Sequence, residues 1–149
     1  KEIHILGRAV IVVDGYLLVN KNQQAGFVFL PGGHVEHGES AGDAVLRELQ
    51  EELGLEPQVE RYLGCFEYSF IPHTKTKCHT HEYNFVYQVT VPGLCRTRIP
   101  VSPEPYTLFE WVLLTELDTI DFRPVALKKA LATWLRTDHQ HSFASSMEQ

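Results

Sequence analysis

Cysteine is scarce in this chain, and what little there is falls at Cys65, Cys78 and Cys95, an odd number without close pairing. A disulfide framework is therefore not expected, and a reducing compartment is. No run approaches the ~20 apolar residues of a membrane-spanning helix, and the N-terminal residues lack a signal-peptide layout. Basic residues are outnumbered, 13 against 19 acidic, for a formal charge of −6. That balance argues against duplex nucleic acid or an anionic membrane as a partner. A phosphate-bearing ligand would need a local device such as a metal ion. From these deficits a cytoplasmic location is expected. Internal repeats and low-complexity segments are also missing, which leaves 149 residues for one domain of ordinary size.

The hydrophobic patterning supplies the elements. Two β-branched runs, IHILGRAVIVV and YLLVNK, flank Asp14-Gly15, a dipeptide suited to a tight hairpin turn. FVFLPGG reads as a short strand stopped by Pro31 and two glycines, and SAGDAVLRELQEELG as a helix. Ser40 and Asp43 form a capping pair at its start, and Gly54 supplies the left-handed stop. VERYLGCFEYSFI and HEYNFVYQVTV are strand candidates expected to pair antiparallel, with TLFEWVLL as a further strand. RPVALKKALATWL has helical spacing, with Pro124 in its first turn. The order predicts one domain over residues 1–136, α+β or α/β, and a flexible tail over 137–149.

One helix is unusual in its charge. Glu48, Glu51 and Glu52 fall within about a 100° arc, beside an apolar arc of Val45, Leu46, Leu49 and Leu53. The acids lie at the C-terminal end, where the helix dipole adds to their mutual repulsion. Two like charges ~4 Å apart oppose each other by about 4 kcal/mol at an effective dielectric near 20. A solvated face with an Arg47–Glu51 ion pair is the plain explanation. A hard divalent cation is the other, because it reverses the sign of the local electrostatics.

Residues 33–55 decide how this stretch is classified. Gly33, five residues, Glu39, seven residues, Arg47-Glu48-Leu49, one residue, Glu51-Glu52, one residue and Gly54-Leu55 fill every fixed position of a signature. The pattern resembles that of the Nudix hydrolases, MutT-like members included. The resemblance implies an α/β/α sandwich with a mixed β-sheet and hydrolysis of a nucleoside diphosphate linked to another group, with Mg²⁺ or Mn²⁺. It makes Glu48, Glu51 and Glu52 metal ligands, lets Gly33 turn the loop, has Glu39 fix that loop and has Arg47 orient a box glutamate. Glu52, Glu48, Glu104 and Glu82 are all candidates for the general base. The substrate expected is a small-molecule nucleotide, either a nucleoside triphosphate or a nucleotide sugar such as ADP-ribose. A dinucleoside polyphosphate hydrolase and a catalytically silent nucleotide sensor are the alternatives.

Other residues carry two readings each. Arg8 could reach a phosphate or form an exposed ion pair. Glu82 could ligate a metal from a facing strand or stand at an exposed strand position. Glu104, between two prolines, could be a catalytic loop acid or a surface acid. His73, Cys78, His79 and His81 match no paired zinc pattern and read as loop residues. Phe27, Phe29, Tyr83 and Phe85 are expected near the pocket, as core or as base-stacking rings. A homodimer is neither forced nor excluded.

Overall fold

The structure, a computed structural model, describes residues 2–71, 80–136, 143–145 and 147. His73, Cys78 and His79 lie outside them. The chain opens with β1 (Ile3–Val10) and β2 (Val12–Val13), then turns through Asp14 and Gly15, both at positive φ, into β3 (Tyr16–Asn22). This is the hairpin expected from Asp-Gly, because two consecutive left-handed residues match the twist of the flanking strands. The chain then changes partners: β1 belongs to a five-stranded sheet, whereas β2 pairs with β3 in a four-stranded one.

Short strands β4 (Val28–Phe29) and β5 (Gly32–His34) lead to α1 (Ala41–Leu53). Next come β6 (Gln58–Ser69), β7 (His81–Thr90) and β8 (Thr107–Leu113), a 3₁₀ turn at Leu114–Thr119, α2 (Leu127–Trp134) and β9 (Phe143–Ser145). The larger sheet runs β5-β1-β7-β6-β9 and is mixed: β1 lies parallel to β7, while β6 and β7 are antiparallel as expected. In the smaller sheet β8 pairs with β3 from Tyr16↔Leu113 to Asn22↔Thr107.

Alternation along the strands splits the core in two. Ala9, Ile11 and Leu18 join Val45 and Leu49 of α1 in one cluster, while Val10, Leu17 and Val19 join Leu127, Leu131 and Trp134 of α2 in the other. Helices thus cover opposite faces, giving an α/β/α sandwich. Each fully buried Val or Leu contributes about 1.5–3 kcal/mol. Gly7 sets how closely α1 approaches: a Cβ there would lie 2.6 Å from Val45 Cγ2 and 2.9 Å from the Ala41 carbonyl oxygen.

Two expectations shift. Pro124 does not sit in the first turn of α2. The helix begins at Leu127, after a turn in which the Leu127 and Lys128 amides donate to the carbonyls of Pro124 and Val125. Within the expected tail, Phe143–Ser145 lie parallel to Cys65–Glu67 as an edge strand. Three residues are too few to leave a periodic signal, and the open edge of β6 supplies the pairing that their own pattern does not encode.

Candidate metal and nucleotide site

Local sequence builds the carboxylate helix at both ends. Ser40 Oγ accepts the Asp43 amide hydrogen bond at 3.1 Å, and Gly54, at φ 68°, donates its amide to the Gln50 carbonyl at 3.0 Å. Ala44, Val45 and Leu49 are buried against the sheets. That docking turns the Glu48–Glu52 arc toward the loop that precedes the helix.

Arg47 ties the loop to the acids. Its Nε and Nη2 donate to Glu39 Oε2 at 2.8 Å and Oε1 at 3.0 Å, a bidentate pair. Nη2 also donates to the His34 carbonyl at 3.1 Å, and Nη1 to Glu48 Oε1 at 3.1 Å. Glu51 Oε1 lies 3.7 Å from Nη1. Glu39 Oε1 in turn accepts the Glu36 amide at 3.0 Å. The Arg47 hydrogen bonds, followed by the Glu36 amide, pull the Glu39 carboxyl down to about 2. Gly33 completes the arrangement, since a Cβ there would lie 2.5 Å from Glu48 Cδ and Oε1.

The acids behave as a site short of positive charge. Burial, then the charges of Glu48 and Glu104, push Glu52 up to about 7, with Arg8 opposing. Burial foremost also raises Glu48, against the pull of Arg47. Glu52 Oε2 is buried without a hydrogen-bond partner. Such an atom is costly unless something else satisfies it. Acceptor-only oxygens crowded in this way suit a hard divalent ion. Among the described residues, no group of three or more His, Cys, Asp or Glu side chains is already placed to hold a metal ion. The fit rests on the orphaned Glu52 oxygen and on the donor chemistry.

Glu104 is exposed, yet its charge acts on both Glu48 and Glu52. Its loop is held by Thr107 Oγ1 donating to Glu104 Oε2 at 3.1 Å. Arg8, whose charge reaches Glu52, and Glu82 line a cleft of about 300 Å³ that extends to His34 of the box loop.

Three readings are corrected here. Glu82 is not an exposed strand residue: it is 4% exposed and accepts from Asn84 Nδ2 at 3.0 Å. Arg8 is half-buried, donating to Asn84 Oδ1 at 3.2 Å and the Leu30 carbonyl at 3.1 Å, rather than forming an exposed ion pair. Phe27 and Phe29 line the cleft, but Tyr83 and Phe85 occupy the alternate positions of β7, and Phe85 packs near Tyr62. Strand alternation sends neighbours to opposite faces. The cleft also uses Asn84, Tyr68, Phe70 and Arg123, which sequence reasoning missed. The one available signal was the placement of polar Glu82 and Asn84 in phase with apolar Val86.

Fold and site together define a class, an α/β/α domain whose loop and helix crowd carboxylates together near a cleft. The chain belongs to the Nudix family: the NUDIX domain matches residues 4–134. It is 43% identical over 60 residues to the ADP-ribose pyrophosphatase of Methanocaldococcus jannaschii, covering 38% of this chain and 36% of that protein. It is 35% identical over 81 residues to human diphosphoinositol polyphosphate phosphohydrolase 3-alpha, covering 54% of this chain and 44% of the other. The chain thus spans less than half the length of these relatives. The structure of the MutT protein of Bacillus halodurans superposes with a TM-score of 0.68 at 22% identity, covering 91% of this chain and 84% of that one. At that identity the likeness concerns the fold. Nudix hydrolases generally use divalent metal ions. Among the described residues, no helix is long and apolar enough to cross a membrane.

Proposed function

We propose that this domain hydrolyses the diphosphate linkage of a nucleoside diphosphate-X substrate, a nucleoside triphosphate or a nucleotide sugar such as ADP-ribose, with water attacking phosphorus. The observation that carries the reading is the buried, unpartnered Glu52 Oε2 amid the charges of Glu48 and Glu104. Glu48, Glu51 and Glu52 would hold Mg²⁺ or Mn²⁺. When bound, the ion supplies the positive charge that neutralises the diphosphate and acidifies water.

The chain's own residues do the remainder. Arg47 holds Glu48 and the box loop in one register, so the acids do not reorganise as charge develops. Glu52, the most perturbed acid of the helix, is the first candidate to accept the proton of the attacking water, and Glu104 is the second. Arg8 stands where it can meet a phosphate oxygen of a ligand entering the cleft from the His34 side. A small-molecule nucleotide substrate and a cytoplasmic setting accompany this reading.

A panel of nucleoside triphosphates, nucleotide sugars and dinucleoside polyphosphates, assayed with Mg²⁺ and with Mn²⁺, tests it. Product release is expected with at least one substrate, and Glu52→Gln should lower it by roughly 10²–10⁴-fold. Hydrolysis in ¹⁸O-labelled water should mark a phosphoryl product. A wild type that binds nucleotides yet hydrolyses none would overturn the proposal in favour of a sensor.

A further inference from the structure

Beyond the cleft that reaches the box loop lies a second, larger cavity of about 740 Å³, within the usual range for small-molecule sites. Phe27, Tyr68, Phe70, Arg123 and Pro124 line both, so the two chambers adjoin. The first contains His34 of the box loop, and the second ends at Val125, Ala126 and Lys129. The distal chamber is therefore the part of the groove furthest from the carboxylate helix.

Its chemistry is aromatic and cationic. The Tyr68 and Phe70 rings stack with centroids 5.5 Å apart, and the Arg123 guanidinium lies 4.5 Å from the Phe27 centroid. Asp121 accepts from Arg123 Nε and Nη2 at 3.0 Å each, which holds the guanidinium in place and leaves Nη1 uncommitted. The Lys129 ammonium has no hydrogen-bond or ion-pair partner among the described residues. None of the described residues lining this chamber is acidic, although the chain carries a formal charge of −6. A solvated lysine alone would mean nothing. Here it shares a cavity with a fixed guanidinium and a wall of rings.

We propose that the distal chamber is a second subsite, taking an aromatic ring together with an anionic group other than the diphosphate. The inference rests on the nucleotide-hydrolase reading and narrows its substrate to a nucleoside diphosphate-X with extra negative charge away from the cleaved linkage. With that linkage at the box acids, the cleft holding Arg8 receives the part of the ligand next to it and the distal chamber the part beyond. Stacking on Tyr68 and Phe70 binds a ring without regard to its edge. Lys129 and Arg123 Nη1 discriminate by charge, since their N–H groups bond a phosphate or carboxylate more strongly than a neutral hydroxyl. A nucleoside triphosphate carries all its charge at the box end and leaves these donors unmet. The anionic group is either a phosphate on a ribose or the carboxylate of a sugar acid.

Three matched pairs of substrates, each differing by one such group, test the wild-type protein: NADPH against NADH, coenzyme A against dephospho-coenzyme A, and UDP-glucuronate against UDP-glucose. The more charged member should have the higher kcat/KM by about 3- to 10-fold in at least one pair. The first two pairs report a ribose phosphate and the third a carboxylate. Lys129→Ala should remove the preference, mainly through KM, and Lys129→Arg should keep it, both with melting temperatures near wild type. Equal values within all three pairs, or a preference untouched by both Lys129→Ala and Arg123→Gln, would overturn the subsite and leave the hydrolase reading intact. If no substrate is hydrolysed, calorimetry decides. Adenosine 3′,5′-bisphosphate binding more tightly than AMP, with the difference lost in Lys129→Ala, keeps the subsite while the hydrolase reading falls; equal binding overturns the subsite too.

Discussion

Gly33 and Glu48 are in such close contact that a methyl group on the glycine would occupy the position of the carboxylate: its Cβ would lie 2.5 Å from Glu48 Cδ. The atom in the way is the end of a flexible side chain, and Gly33 is not among the residues at positive φ. Gly33→Ala should therefore fold with little loss of stability while displacing Glu48. The expected outcome is a roughly 10- to 100-fold loss of Mg²⁺ affinity or activity, with a melting temperature close to wild type. An unchanged metal titration would show that Glu48 needs no such space.

Arg47 makes a two-pronged bond to Glu39 while reaching Glu48. Lysine keeps the charge but not the fork. Arg47→Lys should release the loop and weaken metal dependence by about tenfold or more. The check is the Mg²⁺ concentration for half-maximal activity; a value matching wild type counts against a role in holding the acids.

Glu52 and Glu39 titrate in opposite senses, which gives the metal-free protein a distinctive pH profile. The folded-state value of Glu52 is raised to about 7, above its unfolded value, so the folded form binds the extra proton between them. Its contribution to stability falls as pH rises from about 4.5 to 7. The folded-state value of Glu39 is lowered to about 2, so its stabilisation is present above about 4.5 and is lost as pH falls toward 2. Melting curves without divalent ions should show the neutral-side decline, and Glu52→Gln should remove it. Mg²⁺ added at pH 8 should raise the wild-type melting temperature.

Gly7 tests the packing of α1 rather than its chemistry. A Cβ there meets Val45 and the Ala41 carbonyl oxygen, one a core side chain and the other backbone. Gly7→Ala should destabilise the domain by about 1–3 kcal/mol, measured by denaturant unfolding. A neutral result would mean that α1 shifts on β1 without penalty.

The parts legible in the sequence were those whose cause is local. Asp14-Gly15 dictates its hairpin, Ser40 and Gly54 delimit α1, and 3.6-residue periodicity separates Val45 and Leu49 from Glu48 and Glu52. The identity of the box could be read because its spacing is carried on one loop and one helix. The short strand β9 and the 3₁₀ turn left no such mark. Period-two alternation on β7 separated Glu82 and Asn84 from Tyr83 and Phe85, yet it did not say which face was the cleft.

By itself, then, the amino-acid sequence determined a single carboxylate-lined helix, the strands around it and the class of chemistry they suit, because backbone geometry and side-chain spacing act over a few residues. Only the tertiary structure decided that Glu82 is buried rather than exposed, that Arg8 reaches Glu82 through Asn84, and that Glu104 adds its charge to the helix acids. The Arg8–Asn84 bond joins residues 76 positions apart, and the other relationships likewise join parts of the chain that only the fold brings together. Their energies come from burial and mutual orientation, which exist only once β1, β6 and β7 have paired and α1 has docked.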